Sequence, residues 1–276
     1  MTRFALDPAR PVLTRPDGCV QVGWDPRRAV VLRPPEDLPP PVLAELLRAL
    51  QHAATVSDLQ ARAAEHGVAA DTVSGLVDHL LSAGVAAPAA STRTHSTAIR
   101  VHGDGPLSEL LVTSLRCNNI RVSRSNRPHA SSTLIDLAVL TDYLVADPRV
   151  VRDLQDAGIP HLPVRVRDGV GLIGPLVIPR VTSCLRCADM HRSDRDAAWP
   201  AVAAQLCRTV GTADRATVLA TVGLALVEID RVMRALDYDG SGPVPVPSTL
   251  DTTLEFDVAT GTVTAREWVR HPQCSC

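Results

Sequence analysis

Two close pairs of cysteines constrain this chain more than any other feature. Cys184 and Cys187 form a Cys-x-x-Cys pair, and Cys274 and Cys276 form the second pair at the end of the sequence. Each short loop can place two sulfurs roughly 2.3 Å from a common centre, as a tetrahedral metal requires. The spacing predicts a structural zinc held by these four cysteines. Free or disulfide-linked thiols are the alternative, and a catalytic zinc is not expected because four thiolates leave no position for water.

The composition indicates a globular protein whose core is built from small aliphatic side chains. The 276 residues are 45% hydrophobic but only 3% aromatic, and a chain of this length has room for one medium domain and a smaller one. We place the first domain at 1–90, a linker rich in Ala, Ser and Thr at 91–97, and the second domain at 98–276.

The chain carries no sequence signal for a membrane or for export, so a cytoplasmic location is expected. No stretch approaches the ~20 uninterrupted apolar residues that a bilayer demands. Four of the seven cysteines have metal-like spacing, which suits a reducing compartment; Cys19, Cys117 and Cys207 are expected to be small buried residues or unpaired surface thiols. The net charge of -2 gives no general attraction to nucleic acid or to a membrane.

All 28 basic residues are arginine, and the chain contains no lysine. This bias can arise from genomic base composition, so it is not evidence of function by itself. It still excludes a Walker-type P-loop, a Schiff-base enzyme and any mechanism that needs a lysine charge on a phosphate.

The segment 11–87 is typical of a small winged-helix unit. Residues 20–24 and 29–33 are rich in Val and flank a turn, so they are predicted to pair as a hairpin. After a proline-rich elbow, apolar residues recur at helical spacing over 42–50, and two further helices are predicted to follow.

Capping residues mark the ends of those two further helices. We expect Thr55 and Asp71 to be their N-caps, and Gly67 and Gly84 to end them. The three helices could form a helix-turn-helix, but residues 1–90 hold eight arginines against ten acidic residues. The predicted recognition helix, 71–83, contains no arginine, so binding to DNA is not expected.

A hairpin edge beside a helix can instead accept an extended peptide as an added strand. The hairpin, the elbow and the three helices resemble the PqqD-like peptide-recognition element of ribosomal-peptide-modifying systems. The resemblance implies that one strand and one helix hold a leader peptide. The alternative is that these apolar side chains simply pack the core of a small domain. The candidate residues are Val30, Val31, Leu32, Arg33, Val73, Leu76, Val77 and Leu80.

From residue 98 onward, the pattern becomes strand, glycine turn and helix, as in a nucleotide-binding βα unit of an α/β domain. Gly103 and Gly105 would let the backbone approach a phosphate at the helix N-terminus, and Ser108 stands at the third glycine position. A purely structural turn would account for the pattern equally well. Further strands, a long helix over 213–237 and a final hairpin complete a Rossmann-like domain.

The order of these motifs resembles the ThiF/MoeB and ubiquitin-activating-enzyme-like superfamily. The most specific stretch runs from Cys184 through His191 and Asp194 to Trp199 and Pro200. Within the superfamily, the chain is most similar to the cyclodehydratase partners, or leader peptide-binding proteins, of thiazole/oxazole-modified peptide pathways. The resemblance implies a precursor peptide and a YcaO-type or other modifying enzyme as partners, and a homodimer.

The chain departs from adenylating members of that superfamily where they bind nucleotide. The acidic ribose partner, the asparagine-arginine segment and the lysine are absent or do not fit. Asp142 matches the metal-binding aspartate, but a helix N-cap or an ordinary surface acid is the simpler interpretation of this residue. ATP and magnesium are therefore not expected cofactors, because adenylyl transfer depends on positioned cations.

We therefore expect a non-catalytic or weakly catalytic scaffold that binds a leader peptide and presents it to a separate enzyme. Two alternatives remain. One is an ATP-dependent adenylyltransferase that activates the carboxylate of a peptide or carrier protein. The other is a zinc-containing winged-helix regulator, for which the charge count predicts little affinity for DNA.

Overall fold

The computed structural model describes residues 2–89, 97–116, 120–127, 135–236 and 246–276. The chain divides into two compact units, 1–92 and 93–276. The predicted linker at 91–97 lies outside the described residues except for Thr97, and so does Cys117. The described parts form an α/β protein with one large mixed sheet.

In its described residues, the first unit contains three helices and six short strands, which form two sheets of three strands each. The elements are β1 (Arg3–Leu6), β2 (Val12–Thr14), β3 (Val20–Val22), β4 (Val30–Leu32), α1 (Pro40–Leu50), β5 (Ala54–Thr55), α2 (Val56–Ala64), α3 (Ala70–Ser82) and β6 (Ala86–Pro88). The sheets have the orders β5-β1-β6 and β2-β3-β4, and all pairings are antiparallel. The predicted hairpin of β3 and β4 is confirmed, and β4 lies at a sheet edge.

Of the two N-caps predicted in the first unit, one is confirmed and the other is wrong, and Gly84 directly follows the C-cap of α3 as predicted. Thr55 is the N-cap of α2, where it exchanges hydrogen bonds with Asp58 in a capping box. Asp71 is not the N-cap of α3, because that helix begins at Ala70 after Ala69, which has no capping side chain. Asp71 lies in the first turn instead, where its negative charge is still favourable near the helix N-terminus.

The second unit is built on a seven-stranded sheet with the order β13-β12-β11-β10-β9-β7-β8. Its elements are β7 (Ala98–His102), α4 (Pro106–Leu115), β8 (Arg121–Ser125), β9 (Leu137–Thr141), α5 (Pro148–Asp156), β10 (His161–Arg167), β11 (Val170–Ile173), α6 (Leu185–Arg195), α7 (Trp199–Leu206), α8 (Arg215–Leu236), β12 (Thr252–Asp257) and β13 (Thr262–Glu267). Strands β8, β7, β9 and β10 are parallel, whereas β11, β12 and β13 continue the sheet antiparallel.

Strand β9 shows how the sequence covers both faces of this sheet. Its side chains alternate, so Leu137 and Val139 enter the core that includes residues of α4 and α8, while Ala138 and Leu140 enter a second core. That second core contains residues of α5 together with Cys184 and Cys187. The cysteines are thus part of the layer that covers one face of the sheet.

Candidate functional site

The two cysteine pairs meet in one cluster, which we call the cysteine clasp: Cys184, Cys187, Cys274 and Cys276. The Sγ atom of Cys184 lies 3.7 Å from that of Cys187 and 3.6 Å from that of Cys274, and Cys187 Sγ lies 3.5 Å from Cys276 Sγ. Sulfurs bound ~2.3 Å from one zinc ion are about 3.8 Å apart, whereas a disulfide bond is about 2.05 Å long. The clasp therefore fits a metal ion and contains no disulfide.

Secondary structure positions each pair of the clasp. Cys184 is the N-cap of α6 and Cys187 lies in the first turn of that helix, so both thiols face the same centre. Cys274 and Cys276 follow β13 and are half-buried, whereas the first pair is buried. A ligand set that joins α6 to the chain beyond β13 would tie the end of the sequence to the sheet.

The thiols of the clasp differ in acidity. Burial raises the pKa values of Cys184 and Cys276. Burial also opposes ionisation of Cys187, but hydrogen bonds from the backbone of His271 and Cys184, together with those from the side chains of Cys276 and Cys274, outweigh that effect and lower its pKa to about 7. One thiolate is thus favoured near neutral pH without a metal, and a cation would favour deprotonation of Cys184 and Cys276.

His271 and Asp194 form a second layer around the clasp. His271 Nδ1 accepts a hydrogen bond of 3.1 Å from Gln273 N, so the ring proton lies on Nε2, which is 2.8 Å from Asp194 Oδ2. Together with His191, these residues form a cluster that could in principle hold a second ion. Since both ring nitrogens of His271 are already used, this cluster is better suited to orient the loop that donates to Cys187.

Hydrogen bonds also fix the segment that leads to the second cysteine pair. Trp268 donates its backbone N–H to Asp251 O at 2.8 Å and its indole N–H to Thr253 Oγ1 at 2.8 Å. The carboxylate of Asp251 in turn accepts hydrogen bonds from Ser183 N and Oγ, next to the first cysteine pair. The two pairs are therefore linked through protein contacts as well as through their sulfurs.

The glycine turn brings together the four residues that the sequence suggested for nucleotide binding: Gly103, Gly105, Ser108 and Asp142. Gly105 is the N-cap of α4, and its N–H donates to Ser108 Oγ at 3.1 Å. Asp142 follows β9 at the same edge of the sheet and is 1% exposed, so it is not a surface acid.

The carboxylate of Asp142 fills the N-terminus of α4. Asp142 Oδ1 accepts a hydrogen bond of 3.0 Å from Leu107 N, and Oδ2 accepts one of 3.4 Å from Ser108 N. A Cβ on Gly105 would lie 2.9 Å from Asp142 Cγ, and a Cβ on Gly103 would lie 2.1 Å from Thr141 Oγ1. The two glycines therefore make room for Asp142 and Thr141.

This arrangement changes what the glycine turn can bind. In a nucleotide-binding turn, the free N–H groups at the helix N-terminus receive a phosphate. Here two of those N–H groups are hydrogen-bonded to a carboxylate of the same chain. An incoming phosphate would have to displace that carboxylate and would meet its negative charge.

The first unit contains a groove between the edge strand β4 and helix α3. It encloses about 530 Å³, and Val31, Leu32, Arg33 and Leu76 all line it. Val31 is 49% exposed although it is a large aliphatic residue. Other lining residues, not among the predicted ones, are Pro35, Asp37, Leu43, Thr72, Gly75 and His79.

Three of the helix residues suggested for peptide contact have a different position. Val73, Val77 and Leu80 are at most 2% exposed and pack in the core of the first unit, so they have no surface to offer a peptide. The apolar stripe of α3 faces inward, as in most amphipathic helices, and the adjacent face with Thr72, Gly75 and His79 borders the groove. The helical spacing of Val73, Val77 and Leu80 is the signal in the sequence that would have assigned these three residues to the core.

Comparison with known proteins identifies the fold. No protein-family model matches the chain, and no curated protein matches it. All of the chain superposes on 39% of a heterocyclase solved in complex with substrate and cofactor, with a TM-score of 0.68 and 16% identity. It likewise superposes on 42% of the heterocyclase TruD, with a TM-score of 0.66 and 17% identity. A third match, E. coli MccB with ATP, covers 99% of both chains with a TM-score of 0.57 and 11% identity.

These matches confirm the predicted resemblance at the level of the fold. The chain has the α/β fold shared by these heterocyclases and MccB, and it spans about two fifths of the length of the heterocyclases. The PqqD-like assignment of the first unit stays a prediction. Among the described residues, no helix is both long and apolar enough to cross a membrane.

Proposed function

We propose that this chain is a peptide-binding scaffold in the biosynthesis of a modified peptide, with little or no catalytic activity of its own. It would bind a leader peptide along β4, so that the peptide adds a strand to the sheet β2-β3-β4 and inserts side chains into the adjacent groove. The observation that carries this proposal is the edge position of β4 next to that groove, with Val31 exposed at its rim.

The structural matches support a biosynthetic role for such a scaffold. One matched heterocyclase was solved with its substrate, and MccB is similar over its whole length. Because the 276 residues correspond to about two fifths of the heterocyclases, the chemistry of the remaining part is not assigned to this sequence. We propose a YcaO-type or other modifying enzyme as the partner that acts on the bound peptide.

The cysteine clasp would serve this scaffold as a structural zinc site. Four sulfurs within 4.8 Å of one another supply a complete tetrahedral shell, so the ion would stabilise the fold and leave no site for a substrate. We also propose the homodimer that the family resemblance implies. Exposed Leu219 and Val227 on α8 are the apolar side chains that such an interface could cover.

An adenylyltransferase is the second candidate because MccB was solved with ATP. That activity would require Asp142 to leave the N-terminus of α4 and to bind magnesium. Pyrophosphate exchange or release of AMP above the background rate, with a precursor peptide present, would support the enzyme and contradict the scaffold. Salt-sensitive binding to DNA would instead support a regulator.

Gly75 offers a direct test of the peptide groove. It lines the groove on α3, and a Cβ built there meets no atom within 4 Å, so Gly75→Phe should fill the groove without strain. Replacing a helical glycine should also stabilise the free protein slightly. We expect the variant to bind leader peptides encoded beside its gene at least tenfold more weakly, as measured by fluorescence anisotropy.

Ala61→Phe is the matched control. Ala61 is exposed on α2 of the same unit and does not line the groove, so the same side chain introduced there should leave peptide binding unchanged. Equal affinity of the wild-type protein and Gly75→Phe would show that the groove is not the binding site.

A further inference from the structure

A large cavity in the second unit lies beside the cysteine clasp and has no role in the function proposed above. Its volume is about 800 Å³, within the range of ligand-binding clefts. One wall is formed by α5 and the residues before it, and another by the start of α6 and the chain around Cys274 and Cys276. We call it the arginine cavity because five arginines line it: Arg152, Arg165, Arg180, Arg186 and Arg192.

The arginine cavity carries a net positive charge. Two acidic side chains, Asp156 and Asp189, also line it, which leaves +3 for the arginines and aspartates together. Three of the clasp cysteines line it as well, and a zinc ion held by four thiolates would contribute -2, so the net charge with the ion bound would be +1. Asp189 already accepts hydrogen bonds from Arg192 at 3.0 Å and from the indole of Trp199 at 3.2 Å. Within the described part of the chain, no carboxylate forms an ion pair with any of the other four arginines.

Two of the arginines are held in fixed positions. Arg165 is half-buried and donates to Leu144 O at 2.8 Å, which orients its guanidinium group. Arg192 lies over the rings of Trp199 and Trp268, 4.9 and 5.2 Å from their centroids. Burial lowers the pKa of Arg165 to about 10, so this group remains charged at neutral pH. Guanidinium groups held in fixed positions in this way can bind an anion in a defined geometry.

The helix ends that border the cavity favour a carboxylate over a phosphate. Phosphate sites commonly use free N–H groups at a helix N-terminus. At α5, Asp147 caps the helix by accepting from Arg149 N at 2.8 Å, and Pro148 has no N–H to donate. At α6, the N-cap Cys184 makes no capping hydrogen bond through its side chain, but its sulfur belongs to the clasp, whose thiolates would repel a dianionic phosphate more strongly than a carboxylate. Guanidinium groups are then the main donors, and they match the planar geometry of carboxylates.

Much of the remaining lining is apolar and suits a peptide better than a bare ion. Val145, Val151, Pro175 and Leu185 cover parts of the wall between the arginines. We propose that the arginine cavity binds an acidic peptide segment, whose carboxylates pair with the arginines while its aliphatic groups contact this wall. The inference rests on the proposed function only in taking a peptide as the ligand, and it assigns that peptide a second contact site.

Binding of fluorescein-labelled hexaglutamate to the full-length protein tests this inference. Arg152→Glu combined with Arg180→Asn removes charge at two exposed positions, and asparagine tolerates the φ of +68° found at Arg180. We expect saturable binding by the wild-type protein and a dissociation constant at least tenfold higher for this double variant. Hexalysine should not bind.

Three controls distinguish the cavity from the rest of the protein surface. Arg208→Glu with Arg215→Asn makes the same charge change at exposed positions outside the cavity and should leave hexaglutamate binding unchanged. The groove variant Gly75→Phe should also retain it, so a failed groove test and a failed cavity test give different results. Inorganic pyrophosphate should compete no better than chloride at equal ionic strength.

Three outcomes would overturn the inference. Absence of hexaglutamate binding, or equal loss in the two double variants, would mean that the cavity provides no specific anion site. Loss of binding in Gly75→Phe would locate the acidic peptide in the groove of the first unit. Displacement by low millimolar pyrophosphate would show that the cavity is a phosphate site.

Discussion

His271 shows at the scale of single residues how a polar contact outside the metal shell can matter. Its backbone N–H lowers the pKa of Cys187, and its ring is fixed between Gln273 N and Asp194. Asp194 is largely exposed, so it contributes through the orientation of the ring rather than through burial. The sequence indicated the four cysteines by their spacing, but this histidine has no spacing signal, because its partner is 77 residues away.

Asp194→Ala tests that orienting role. Losing an outer-shell partner of a metal site commonly reduces metal affinity by about 10- to 100-fold. We expect faster transfer of zinc to a chromophoric chelator from this variant than from the wild-type protein. Asp196→Ala is the control because, among the described residues, its carboxylate accepts a hydrogen bond only from Ala198 N in the neighbouring turn. Equal transfer rates for all three proteins would contradict an orienting role.

The raised pKa values of Cys184 and Cys276 predict proton release when the metal binds. Both thiols have a pKa above that of an ordinary thiol. They are therefore protonated in the metal-free protein at pH 7.0 and must ionise to become ligands. Each ion should therefore displace at least two protons, and zinc affinity should fall as the pH is lowered. Calorimetric titration in buffers of different ionisation enthalpy measures this number, and release of less than one proton would contradict the prediction.

At the scale of elements, α4 and the glycine turn show where prediction from the sequence stops. The strand, turn and helix were correctly predicted, because local glycines and apolar periodicity encode them. The carboxylate at the helix N-terminus was not predicted. Asp142 follows β9 and comes 35 residues after Leu107 in the sequence. A local pattern cannot show whether such an N-terminus is free or already occupied.

Asp142→Gly tests whether this carboxylate stabilises α4. Glycine adopts the φ of +68° at this position without strain, so a loss of stability reports the missing carboxylate together with the entropic cost of a more flexible unfolded chain. Removing a helix cap costs about 0.5–2 kcal/mol. We expect a lower melting temperature for the second unit, partly restored by phosphate, which could then occupy the open helix N-terminus.

The wild-type protein provides the comparison for that experiment. Its α4 N-terminus is occupied, so phosphate should raise its melting temperature no more than chloride does at the same ionic strength. An equal phosphate response in both proteins would show that Asp142 does not block an anion site.

At the scale of the whole molecule, sequence patterns indicated an α/β protein with a cysteine cluster, and the fold comparisons agree. The sequence patterns did not indicate the arginine cavity, because its arginines are spread from residue 152 to residue 192 and meet only after folding. The sequence patterns also suggested Val73, Val77 and Leu80 for peptide contact, and the structure buries these three side chains in the core of the first unit. Surfaces built from several elements depend on tertiary packing, which one sequence does not reveal.

Hydrogen exchange of the full-length protein with and without a bound leader peptide tests the central claim most directly. Strand addition should protect backbone amides of β4 and of the loop after it, and groove contacts should slow exchange on the Thr72–His79 face of α3. The scaffold account predicts protection at these two segments and none at the glycine turn. Protection confined to 103–108 and Asp142, or no protection in the first unit at saturating peptide, would contradict it.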